Sequence, residues 1–122
     1  MKIEVSNGEI LDKLSILEIK MEKIKNKEKL INIKKEYDYL TDESKNINNN
    51  EKLYNELLEI NKKLWDIEDN IREKERSKEF DENFIELARA VYFTNDKRAK
   101  IKKEINIKTN SNFIEVKSYK KY

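Results

Sequence analysis

Six apolar residues, Leu53, Leu57, Ile60, Leu64, Ile67 and Ile71, follow one another at alternating spacings of four and three. A repeat averaging 3.5 residues puts all six on one stripe of an α-helix, whereas a strand would scatter them over both faces. The segment must therefore be helical and must lie against another apolar surface. The rest of the chain permits the same solution. There is no proline and one glycine in 122 residues, and charged residues make up 43 %, a mixture suited to long solvated helices and poorly suited to sheets with their turns. The fold class expected is all-α.

Three helices follow from the pattern. The first starts at a capping box, Ser6-Asn7-Gly8-Glu9, in which Ser6 would satisfy the Glu9 amide and Glu9 would reach back. Its stripe is Ile10, Leu14, Leu17, Met21 and Ile24. Glu28 then falls where an apolar residue is due, and the stripe resumes at Leu30 or Ile31, Ile33, Tyr37 and Leu40. The expectation is one helix over about 7–43 that changes its packing face; the alternative is a break between Lys25 and Glu28. The polar segment DESKNINNN gives a loop over 44–50. A second helix spans about 51–76, flanked on its seam by Leu58 and Trp65, and should pack on the first as an antiparallel hairpin. After a turn near Ser77, Asp81 caps a third helix over about 81–106, and residues 107–122 form a short extended tail. The architecture predicted is a single domain, 1–122: a long helical hairpin plus a third helix, coiled-coil-like.

Several chemistries are excluded at once. With no cysteine and no histidine, disulfides, thiolate nucleophiles and the usual zinc and iron ligands are absent. No run of 18 apolar residues can cross a membrane and the N-terminus lacks a signal-peptide core, so the expected location is cytoplasmic, inside a bacterial or host cell. Formal net charge is +2, which supplies no global field. The charge is nevertheless uneven: residues 97–122 carry nine basic and two acidic side chains, +7, leaving −5 for the remainder. Such a segment fits either the acidic helices of a second subunit, the reading preferred here, or a nucleic acid.

The abundance of Lys, Ile and Asn resembles the codon bias of an AT-rich genome, so lysine is the default cation. The four arginines, Arg72, Arg76, Arg89 and Arg98, then mark places where a flat bidentate fork is needed. Two of them stand in or beside a polar gap. Continuing the spacing of Phe84, Leu87 and Val91 lands on Thr94 and Arg98 before Ile101 and Ile105, with Arg89, Tyr92, Asn95 and Asp96 alongside. A buried guanidinium needs a counter-group, and Glu68 and Asp69 of LWDIEDNIREKE, next to Arg72, are the expected partners. These eight residues, Arg89, Tyr92, Asn95, Asp96, Arg98, Glu68, Asp69 and Arg72, form a candidate site for a phosphate or carboxylate. The alternative is a helix break at Thr94 or Asn95 with Arg98 in solvent. A further spacing, E-x-x-D at Glu9 and Asp12 and D-x-x-D at Asp66 and Asp69, would suit Mg²⁺ as in all-helical nucleotide pyrophosphohydrolases. In a chain with 25 acidic residues such spacings also arise by chance, and no cofactor is expected.

The phrases GEILDKLSILEIKMEKI, LWDIEDNIREKE and FIELARAVYFTNDKRAKIKKEIN, with EVKSY near the end, resemble a family of small prokaryotic and viral proteins catalogued as a domain of unknown function. The resemblance spans nearly the whole chain and implies no transferable activity. NDKRAKIKKEIN is also similar to the last turns of helical chorismate mutases, without the rest of that site. The function expected is that of a helical interaction or scaffold protein acting as a homodimer. The second reading is a small-molecule-binding protein or enzyme of nucleotide or sugar metabolism, with its polar site between the second and third helices.

Overall fold

The computed structural model describes residues 1–47 and 51–122, and every described regular element is helical. There are four α-helices: α1 (Asn7–Lys23), α2 (Lys27–Glu43), α3 (Glu51–Arg76) and α4 (Glu82–Lys108), with a single 3-10 turn at Ser44–Asn46 after α2. The last three residues of the expected 44–50 loop lie outside the described residues.

The single long first helix is corrected to two, the alternative of a break between Lys25 and Glu28 being the one observed. α1 ends at Lys23 with Ile24 as its extended C-cap, and Asn26 starts α2 by accepting a hydrogen bond from the Lys29 amide at 3.0 Å. The slipped stripe therefore marks a break, because Asn26 offers the chain a cap exactly where no apolar contact would reward continuing the helix. After it α2 folds back along α1. Lys13 pairs with Glu36 at 3.2 Å, and Tyr37 and Leu40 pack on the cluster containing Leu11 and Leu14. The hairpin partner of α1 is thus α2, not the helix carrying the heptad seam. That helix, α3, makes its own hairpin with α4 through a turn in which Lys78 takes a left-handed conformation, φ 55°. Asp81 then caps α4, accepting from the Phe84 amide at 2.9 Å.

The core lies where α1, α3 and α4 meet. Leu11, Leu14, Leu53, Leu57 and Ile105 form one buried cluster, with Ile10, Ile47 and Ile101 packed against it. α2 contributes no fully buried residue and covers one flank only. On α1 the buried face is wider than the 4,3 stripe: Gly8, Asp12, Ser15 and Ile19 are buried beside Leu11, Leu14 and Leu17. α4 runs unbroken through Thr94 and Asn95, with Thr94 only 2 % exposed. The polar gap is therefore inside a continuous helix, and the expected alternative of a separate last helix does not occur.

Gly8 sets how closely α1 and α4 approach. Its amide donates to Asn106 Oδ1 at 2.6 Å, and a Cβ at this position would stand 2.6 Å from the Lys102 carbonyl oxygen. That neighbour is backbone and cannot swing away. Gly8→Ala should therefore lower unfolding free energy by about 1–3 kcal/mol, the range for overpacking a tight contact. Urea unfolding that left the midpoint unchanged would show that the helices are free to separate here.

Candidate functional site

The polar centre of the bundle is built around Asp12, whose carboxylate is 1 % exposed. An isolated carboxylate at that depth would cost several kcal/mol, and three helices converge to satisfy it. Arg98 of α4 donates through Nε to Oδ1 at 2.8 Å and through Nη2 to Oδ2. Asn61 of α3 donates to Oδ1 at 2.9 Å and to Ser15 Oγ at 2.7 Å, while the Ser15 hydroxyl donates to the Asp12 carbonyl at 2.7 Å. Lys102, one turn beyond Arg98, reaches Glu9 at 2.8 Å and stands 3.9 Å from Asp12. The bidentate bond to Asp12 raises the Arg98 pKa against the opposing effect of burial, so the guanidinium stays charged.

These contacts correct the expected pairing. Arg98 turns inward, but its carboxylate comes from α1; Glu68 and Asp69 of α3 do not supply it. Glu9 does not complete the capping box: Ser6 accepts from its amide at 3.2 Å, while its carboxylate engages Lys102. Arg89 lies on the surface, 3.7 Å from Glu86 and 5.7 Å above the Phe93 ring. The Mg²⁺ grouping does not form. Glu9 and Asp12 face cations, Asp66 and Asp69 are exposed on α3, and no group of three or more metal-ligating side chains occurs among the described residues.

The eight candidate residues divide between two cavities that share Asn95 and Arg98. In the first, of about 530 Å³, Glu68, Asp69 and Arg72 meet Asn95 and Arg98 across a wall of Ile16, Ile19, Leu64 and Trp65, with Asn61 also lining it. In the second, of about 920 Å³, Arg89, Tyr92, Asn95, Asp96 and Arg98 face the C-terminal segment. That segment folds back on α4: Tyr119 donates to Asp96 at 3.0 Å, Tyr122 donates to the same carboxylate, and Glu115 stands 3.7 Å from Lys102. The Tyr122 ring packs edge-on against Tyr92 and Phe93, with centroids 5.0 and 4.9 Å away. Bonding to the Asp96 carboxylate favours the protonated phenols, raising Tyr119 and pushing Tyr122 up to about 12.

Asn61, Ser15, Asn106 and Lys102 were not singled out by the sequence. Asn61 follows Ile60 directly in the α3 seam, and Ser15 lies three residues after Asp12. A search for small polar residues at helical spacing beside an apolar stripe would have found both. Lys102 and Asn106 carry no such signal, being ordinary in a chain rich in Lys and Asn.

Removing the Asp12 carboxylate leaves a partly buried guanidinium and the Asn61 amide without their acceptor. Asp12→Ala should cost about 3 kcal/mol, at the low end for breaking a buried ion pair because Arg98 retains 27 % of its side-chain exposure. Chemical denaturation measures this, and a loss below about 0.5 kcal/mol would show that the pair does not hold the bundle.

Comparison with known proteins adds one match. No curated protein and no solved structure matches the chain. The model of a family of unknown function, DUF6165, matches residues 1–122. Since that match covers every residue, the chain belongs to the family of unknown function DUF6165.

Proposed function

We propose that the chain is a small-molecule-binding protein whose site is the cavity between α1, α3 and the middle of α4, and whose ligand carries a phosphate or carboxylate. One observation carries this reading: charged side chains without a partner converge there. Glu68, Asp69 and Arg72 make no ion pair among the described residues, although the chain forms many elsewhere, and all three line one cavity. Arg98 joins them with its Nη1 making no hydrogen bond among the described residues, since Nε and Nη2 alone bond Asp12.

The division of labour follows from the groups. Arg72 and the Arg98 Nη1 would receive the anion, and Asn95 would orient it. Ile16, Ile19, Leu64 and Trp65 would cover the ligand's carbon skeleton, while Glu68 and Asp69 accept from its hydroxyl or amino groups. Either acid would serve as base if the ligand reacts. A volume of about 530 Å³ falls within the range of small-molecule pockets.

Arg72 is the informative residue to change, because it is exposed and its loss should move the stability of the free protein by less than about 0.5 kcal/mol. A thermal-shift screen with phosphorylated sugars, nucleotide sugars and dicarboxylates should find a compound that raises the midpoint. Arg72→Gln should abolish that rise without moving the ligand-free midpoint. A rise of equal size in the variant, or none with any compound, would remove the site.

A second reading, self-association as a helical interaction protein, has its own support. The chain exposes 9159 Å², against about 7,000 Å² for a folded monomer of its mass. The excess is larger than the roughly 800 Å² per partner that a standard interface buries. Part of it lies on α2, which has no buried residue and leaves Ile31 and Tyr39 69 % and 50 % exposed. Light scattering should then give twice the chain mass at micromolar concentration; a stable monomer would defeat the dimer.

A further inference from the structure

We propose that the surface formed by α4 and the C-terminal segment binds single-stranded nucleic acid. The inference concerns a different face from the Arg72 cavity and does not depend on it. Its first support is charge that the fold leaves uncompensated. Lys100, Lys103, Lys120 and Lys121 make no ion pair among the described residues, and folding the segment back on α4 gathers them. Of the neighbouring carboxylates two are already ion-paired, Glu115 and Glu104, while Asp96 keeps its charge under hydrogen bonds from two neutral phenols and offsets one of the four cations at most. Asp96 accepts from Tyr119 and Tyr122, Glu115 pairs with Lys117, and Glu104 pairs with Lys108 at 3.3 Å.

The second support is the aromatic content of the same face. Tyr92, Phe93 and Tyr119 are 43, 42 and 60 % exposed. Rings held at the surface among cations offer stacking faces to unpaired bases, while the lysines follow the phosphates. From Arg89 to Lys103 the α4 backbone extends about 21 Å at 1.5 Å per residue, enough for several nucleotides. Grooves of about 920 and 480 Å³ lie along the segment and share Glu115, Lys117 and Tyr119. Duplex bases are stacked on one another and cannot reach the rings, which is why the occupant is a single strand. The chemistry shared with a free mononucleotide, phosphate plus base, is separated from it by length.

Fluorescence anisotropy with a labelled twelve-nucleotide single strand, its duplex, a mononucleotide competitor and inorganic polyphosphate tests the proposal. The single strand should bind more tightly than the duplex, with log K falling against log salt at a slope of about −3 for four phosphate contacts. Replacing Lys100, Lys103, Lys120 and Lys121 together with Gln should flatten that slope. Tyr92→Ala should weaken binding about tenfold, Tyr92→Phe should retain it, and Arg72→Gln should leave it unchanged. The Tyr92 hydroxyl bonds nothing among the described residues, so the Phe variant separates stacking from folding. Equal affinity for duplex, polyphosphate as effective a competitor as the unlabelled strand, mononucleotide binding alone, or no anisotropy change at low salt would each overturn it.

Discussion

The bundle depends on the burial of one carboxylate. Asp12 sits where α1, α3 and α4 meet, and each helix sends it a partner or a neighbour: Ser15 from α1, Asn61 from α3, Arg98 and Lys102 from α4. Apolar stripes of Leu and Ile tolerate sliding by a turn, since one aliphatic contact replaces another at little cost. The Asp12 cluster does not. A slide of about 5 Å along either neighbour would leave a charge at 1 % exposure without its donors. The network thus specifies register where the small core, eight buried hydrophobic residues among those described, would specify it weakly.

Gly8 and Asn106 act one turn further along the same interface. The close contact of α1 with α4 that Gly8 permits brings Glu9 and Asp12 within reach of Lys102 and Arg98. Backbone approach and ion pairing are therefore one feature: a side chain at position 8 would push apart the groups that neutralise Asp12. The only glycine of the chain stands at the point where two helix backbones nearly touch.

Much of the architecture was legible because helical periodicity is a local signal. The heptad seam of α3, the Ser6 and Asp81 caps and the polar gap at Thr94 and Arg98 could each be read from neighbours a few residues apart. Misread features depended on distant parts of the chain. The break at Asn26 competed with a stripe that resumed after a slip, and only the packing of Tyr37 and Leu40 back on α1 decides between them. The partner of Arg98 was sought on α3, where acids are dense, yet density on an exposed face says nothing about inward direction. In the sequence Asp12 shows only as half of an E-x-x-D spacing, because its burial comes from α3 and α4, which stand 49 and 86 residues away at Asn61 and Arg98.

Arg98 joins the structural and the candidate functional parts of the molecule. One edge of its guanidinium, Nε and Nη2, is committed to Asp12, so the side chain is fixed before any ligand arrives, and the residue lines both cavities. A fork held in this way loses little conformational entropy on meeting an anion, whereas a free surface lysine must be ordered first. The same arrangement ties the C-terminal segment to the centre, since Glu115 reaches Lys102, which in turn holds Glu9. Occupation of the Arg72 side would act on a residue whose other side faces Tyr92 and the segment. The ion pair of Arg98 with the buried Asp12 is therefore also the physical connection between the bundle's two open faces.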